Sequence, residues 1–252
     1  MRLLVELPLG SAPLGVPFSA ADDRRRLPPF GDWRLATWLD GVTWQWNVMD
    51  EAGRRVLEHP TIFTSCLRAG DGSWGDFTLE FDVRQMLPNA DTSMDDISNI
   101  KGRTGVMFRY QTYRRTYALF IECQERVVLY KRVEHDWIPL AQQEISIDRT
   151  RYYGLKVECD GDHIRCFLDG APLFDVTDST YRRGRVAIYA NTLSRFGFVR
   201  VTATDEQIAG MDRFRQSDRR IAAESAEGLA RPVLWKRIIN PPKSGCVAPR
   251  II

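Results

Sequence analysis

At 252 residues the chain has room for one large all-β domain or two small ones, and its 44% hydrophobic and 11% aromatic residues are ample for a packed core. With 35 basic against 33 acidic residues the formal charge is +2, so no charge imbalance points to nucleic acid or a membrane surface as partner. No apolar run approaches the roughly 18 residues that a transmembrane helix needs.

Met1 to Ala21 is apolar in places, but Glu6 interrupts the stretch and Pro8, Pro13 and Pro17 divide it. It reads as a first strand, Arg2 to Leu7, and a proline-rich connection rather than as a signal peptide. On that reading the chain as written is expected in the cytoplasm, or outside it if the native start lies elsewhere. The charge run Asp22 to Arg26 reads as a solvated loop, and residues 1–31 as an irregular segment with one edge strand.

Residues 32–68 hold short strand-like runs, DWRLATW, TWQWNVM, RRVLEH and IFTSCLR. Trp44 and Trp46 lie at period 2 and point to one face, either into the core or outward as an aromatic platform. In Trp74 to Arg84, the residues Phe77, Leu79, Phe81 and Val83 alternate with Thr78, Glu80, Asp82 and Arg84. That pattern makes a strand with one dry and one wet face, as an antiparallel sandwich requires. The polar loop 87–102 carries Asp91, Asp95 and Asp96, a set that could take calcium, although its spacing is not that of an EF-hand loop. No other cofactor is indicated.

From Arg103 to Thr204, apolar-alternating runs recur between turn signals such as Asp160-Gly161-Asp162 and Asp169-Gly170. Consecutive strands without helices between them close into an antiparallel sandwich, jelly roll or barrel. After Asp205 the period changes. Ile208, Met211, Phe214 and Ile221 take helical spacing, with Asp205 as candidate N-cap and Gly228 with Pro232 as the stop, so one C-terminal helix is expected over 205–230. The tail RPVLWKRII reads as one more strand, within a terminal segment 231–252. Cys66, Cys123, Cys159, Cys166 and Cys246 form no CxxC. They read as reduced thiols, four of them in strand-like runs, with a Cys159–Cys166 bridge across a hairpin left open.

Over residues 30–204 the pattern resembles the concanavalin A-like lectin and glucanase jelly roll, and within it the laminin-G-like and 3-keto-disaccharide hydrolase group. The residues that carry the resemblance are Trp74-Gly75-Asp76-Phe77, Gly105 to Arg109, Tyr117, Asp169-Gly170, Asp178, Gly184 and the closing run Phe198 to Val201. The resemblance implies an all-β fold, an antiparallel β-sandwich of concanavalin A-like jelly-roll type with one C-terminal helix. It also implies saccharide binding on a concave sheet. The run Arg231 to Ile238 is similar to the lead-in of an FG-GAP β-propeller, which implies a propeller partner that this chain lacks.

Glycosidase chemistry needs two carboxylates flanking the scissile bond. Glu80-Phe81-Asp82 begins the glucanase pattern Glu-x-Asp-x-Glu or Glu-x-Asp-x-x-Glu, but Arg84 and Gln85 stand where the last carboxylate belongs. His59, His135 and His163 have no partner at telling spacing and read as exposed loop residues. There remains a polar sheet face. Arg109 and Glu122 are expected to face each other across a hairpin, joined by Lys156, Tyr189 and Asn191 as saccharide-binding residues. The leading expectation is a carbohydrate-binding or accessory domain for an oligo- or polysaccharide, without catalysis of its own. The alternatives are a glycoside-active enzyme using Glu122, Arg109 and His163, and a structural domain that docks a propeller.

Overall fold

The computed structural model describes residues 1–10, 17–18, 33–35, 46–61, 64–86, 102–123 and 125–229. The strands are β1 (Arg2–Glu6), β2 (Pro17–Phe18), β3 (Arg34–Leu35), β4 (Trp46–Glu51), β5 (Arg54–His59), β6 (Ser65–Ala69), β7 (Phe77–Gln85) and β8 (Arg103–Thr112). They continue as β9 (Arg115–Glu122), β10 (Arg126–Val133), β11 (Asp136–Glu144), β12 (Tyr153–Asp160), β13 (His163–Leu168), β14 (Ala171–Thr177), β15 (Arg185–Ala190) and β16 (Ser194–Ala203). One helix follows, α1 (Asp205–Leu229).

The strands form two sheets in which every paired neighbour is antiparallel. The larger, of nine strands, runs β14-β13-β12-β7-β16-β5-β4-β2, with β1 on β16; the smaller, of seven, runs β11-β10-β9-β8-β15-β6-β3. The first residues of β16 pair with β5 and its last residues with β1.

Alternation decides which residues meet between the sheets. Phe77, Leu79, Phe81 and Val83 of β7 are buried in the core, together with Val106, Phe108, Tyr117, Leu119 and Ile121 from β8 and β9. Each such side chain contributes on the order of 1.5–3 kcal/mol on leaving water. Trp46 belongs to this core, its indole N–H donating to Ser65 Oγ at 2.8 Å, so it is not an outward platform. Trp44 lies outside the described residues, as do Asp91, Asp95 and Asp96, Cys246 and the expected strand RPVLWKRII.

The turn signals work as their chemistry dictates. Asp169 and Gly170 both take positive φ, 49° and 83°, the geometry of a two-residue hairpin whose twist matches its strands. Cys66, Cys123, Cys159 and Cys166 are free thiols. Cys159 and Cys166 lie on neighbouring strands but stand opposite Ile164 and Val157 rather than each other, and no bridge joins them.

The N-cap of α1 is Thr204, not Asp205. Thr204 Oγ1 accepts from the Gln207 N–H at 3.2 Å, and Gln207 Oε1 accepts from the Thr204 N–H at 2.8 Å, a reciprocal capping box that leaves Asp205 in the first turn. Ile208 and Met211 pack on the core, whereas Phe214 and Ile221 are exposed. Residues Met1–Met211 form one compact unit, and Asp212–Ile252 a second.

Candidate functional site

The outward residues of the smaller sheet do not form the wet surface that alternation usually gives. Met107, Tyr110, Ala118, Phe120, Val128, Tyr130, Ala187, Tyr189 and Cys66 make a second buried cluster there, with Tyr113 and Trp137 packed against it. Trp137 lies on the edge strand β11, four positions along the sheet from β15, which carries Tyr189. At the usual strand spacing that is about 19 Å of flat sheet. The Trp137 and Tyr189 rings nevertheless lie 6.3 Å apart. The side chains of this face therefore lean together and converge over its middle strands.

Gly105 lies beneath these converging rings. It stands in register between Phe120 of β9 and Tyr189 of β15, and its missing side chain lets those rings approach to 4.8 Å. Its φ is +151°, and a Cβ there would sit 2.2 Å from the Leu119 carbonyl oxygen. Only glycine fits. Trp137 stands edge-on over Phe120 at 5.4 Å and Tyr130 at 5.7 Å, half-buried and the most accessible ring of the four. Such edge-to-face pairs are worth about 0.5–1.5 kcal/mol beyond their buried area.

A charged network borders the rings. Glu122 is fully buried at the end of β9. Its Oε2 accepts from Arg103 Nε at 2.6 Å and the Tyr130 hydroxyl at 2.7 Å, and its Oε1 accepts from Arg126. Burial raises the Glu122 pKa, but the hydrogen bonds from Arg126, Tyr130 and Arg103 together outweigh it and hold the carboxyl below its ordinary value. Burial and the bond to Glu122 push the Tyr130 phenol up. Arg103 also lies over the Tyr130 ring at 4.8 Å and the Trp137 ring at 5.3 Å. Arg132 of β10 is wedged between Tyr113 at 3.9 Å and Trp137 at 4.6 Å. Deeper in, the Tyr189 hydroxyl is hydrogen-bonded with Thr64 and Tyr113, and burial pushes its phenol well up. Burial likewise raises the Cys66 thiol to about 12, so it stays protonated at neutral pH.

Of the expected site residues, this face brings together Glu122 and Tyr189, with Asn191 at its rim. Asn191 is committed to the backbone of β8: its Oδ1 accepts from the Arg103 N–H at 2.6 Å, and its own N–H donates to the Arg103 carbonyl at 3.0 Å.

Arg109 does not face Glu122. The hairpin sets Thr112 opposite Arg115 and Arg103 opposite Glu122, and β8 bulges after Phe108. Within that irregularity Arg109 takes φ +46° and its side chain turns inward, fully buried. It donates to the carbonyls of Gly75, Tyr181 and Gly161 at 3.0, 3.2 and 2.6 Å and pairs with Asp76 at 3.3 Å. It therefore ties three loops together and is not presented to a ligand.

Lys156 lies on the larger sheet, where it pairs with Glu158 at 2.7 Å and rests 3.9 Å from the Phe167 ring. His163 is exposed at the start of β13, also on the larger sheet, whereas Glu122 lies on the smaller. His59 is not an exposed loop residue. It is buried, Nδ1 lies 3.1 Å from the Thr192 carbonyl oxygen, and its ring packs 4.8 Å from that of Trp46. Among the described residues no group of acidic, histidine or cysteine side chains could hold a metal ion.

Sequence reading missed Trp137, Arg103, Arg126 and Arg132. The signal was available in β10, where Arg126, Val128, Tyr130 and Arg132 share one parity, and in the parity that Glu122 shares with Phe120.

No protein-family model matches the chain, and no curated protein matches it. Solved structures do. A carbohydrate-binding module, CBM66 from Bacillus subtilis, aligns with a TM-score of 0.54 at 20% identity, over 68% of this chain and 96% of that one. A protein of unknown function with a galectin-like fold from Bacillus subtilis aligns with a TM-score of 0.50 at 12% identity, over 80% and 96%. A third structure, described with endo-acting O-glycanases by which prominent members of the human gut microbiota initiate mucin breakdown, aligns with a TM-score of 0.53 at 9% identity, over 81% and 100%. The fold is an antiparallel β-sandwich of the jelly-roll type.

Proposed function

We propose that the chain is a carbohydrate-binding domain that takes an oligo- or polysaccharide on the concave face of the smaller sheet. The observation that carries this reading is Trp137. It is a half-buried indole at the edge of a cleft floored by converging aromatic rings and is flanked by two guanidiniums. A flat apolar ring beside planar hydrogen-bond donors suits a sugar, whose apolar face stacks while its hydroxyls accept hydrogen bonds. The solved structures described as a carbohydrate-binding module and as O-glycanases support the reading by fold.

The charge state of the face favours binding over catalysis. A glycosidase acid needs a carboxyl whose pKa is raised, and Glu122 is held low with both oxygens occupied. A tyrosine base needs its pKa lowered, and Tyr130 is pushed the other way. Glu122 thus acts as the post that positions Arg103 and Arg126.

A glycan array probed with the intact chain and with Trp137→Ala and Lys156→Ala tests the proposal. Binding to a defined glycan class, lost in Trp137→Ala and kept in Lys156→Ala, is expected. Binding that survives Trp137→Ala, or no binding to any glycan, contradicts it.

A further inference from the structure

The charges on the concave face do not balance, although those of the whole chain nearly do. Among the described residues Arg68, Arg103, Arg126, Arg132 and Arg185 point to this side, while Glu122 is the carboxylate buried within it and Glu144 stands exposed at its edge. Glu122 is spent on Arg103 and Arg126. That leaves Arg132, Arg68 and Arg185, none of which forms an ion pair among the described residues.

Arg132 is the decisive case. It is only 9% exposed, and its Nε reaches no better acceptor than the Glu134 carbonyl at 3.3 Å. Its Nη1 is buried with no hydrogen-bond partner among the described residues. The rings of Tyr113 and Trp137 hold the guanidinium by its faces, which leaves its edge, and Nη1 above all, to complete the site. A desolvated cation without an acceptor is costly, and a protein keeps one where an anion completes it. Arg185 stands opposite Tyr110 and Arg68 opposite Ala187, and Arg132 lies over Tyr113, so three arginines without an ion pair among the described residues share the face that carries this cluster. Arginine suits such a role because its fork of donors matches a carboxylate or sulfate.

We propose that the ligand is an acidic saccharide whose carboxylate or sulfate group is taken by Arg132, with Arg68 and Arg185 flanking it, while a sugar ring stacks on Trp137. This rests on the concave face being the binding face.

The test is calorimetric titration of the full chain with polygalacturonate, dextran sulfate and neutral dextran, at low and high salt. Binding to polygalacturonate alone identifies a carboxylate as the acidic group, and binding to dextran sulfate alone identifies a sulfate; either supports the proposal. Arg132→Gln should weaken that binding about tenfold or more, as loss of a charge-assisted hydrogen bond does. Because Arg132 is wedged among rings, Arg68→Gln and Arg185→Gln are measured beside it; these arginines are partly exposed and carry no ion pair among the described residues, and each should also weaken binding. Lys156→Gln, which removes the same charge from the other sheet, should change nothing. Equal losses in Lys156→Gln and the arginine variants would show diffuse attraction to a polyanion and overturn the proposal. Dextran bound as well as dextran sulfate, with loss in Trp137→Ala, would overturn the acidic ligand and leave the concave site standing. Binding to none of the polymers, with a blank glycan array, would overturn both.

Discussion

The outer faces of the two sheets are built from the same residue types and do opposite things with them. On the larger sheet the charges answer one another. Glu51 receives Arg84 at 2.5 Å and Arg195 at 2.6 Å, Glu58 receives Arg195 at 2.8 Å, and Asp82 receives Arg54. Lys156 and Arg165 share Glu158, and Arg54 and Arg84 lie over the Tyr152 ring. On the smaller sheet one carboxylate serves two arginines, rings pack where counter-charges might stand, and three more arginines form no ion pair among the described residues. A face that satisfies its own charges gains little from a ligand. A face that buries rings and leaves a cation unanswered has something to gain.

Breaking the comparison at Glu122 should have the largest effect. Glu122→Ala strands two arginines and the Tyr130 hydroxyl around an empty position, and should cost about 3 kcal/mol or more in urea-induced unfolding. Next comes Gly105→Ala. Its Cβ would meet the Leu119 carbonyl at 2.2 Å and its φ would be strained, for a cost of about 2 kcal/mol or more by the same measurement. Trp137→Ala should separate binding from stability. It should lose no more than about 1.5 kcal/mol of folding free energy, from its ring contacts, but at least about tenfold in saccharide affinity. Lys156→Ala, on the self-satisfied face, should change stability by less than about 1 kcal/mol and leave binding intact.

Acid titration sharpens the same contrast. Glu122 is held below its ordinary pKa, and Asp178 far below, where bonds from Lys131, Thr180 and Tyr117 together outweigh the opposing effect of burial. A carboxyl whose folded pKa lies below its unfolded value adds stability above the unfolded value and loses it as pH falls through the folded one. Unfolding free energy should therefore hold from neutrality to about pH 4.5 and decline below it, and the decline should be shallower in Glu122→Gln.

Much of the fold was legible because it depends on neighbours in sequence. Period-2 alternation marked Phe77, Leu79, Phe81 and Val83 as core, Asp169-Gly170 set a hairpin, and the change of period after Thr204 marked the helix. The site was less legible because it depends on which strands meet. Parity says that Lys156 and Tyr189 each point outward, but not that they do so from different sheets. One bulge after Phe108 turned Arg109 from a face residue into an internal tie. Nothing in the sequence singled out Trp137, which gains its place only because the fold brings its ring beside those of Phe120 and Tyr189. Arg109 and Arg132 are equally basic in the sequence. Only the structure shows that one is held by several acceptors while the other has, among the described residues, an Nη1 without a partner.

The most direct measurement is a heteronuclear NMR titration of the intact chain with a glycan selected on the array, following the Trp137 indole N–H and the Arg132 Nε–H. Saturable shifts of these two signals, with the Lys156 and Arg195 signals unmoved, are the predicted result. Shifts confined to the larger sheet, or none on the concave face while the glycan binds, would contradict the assignment.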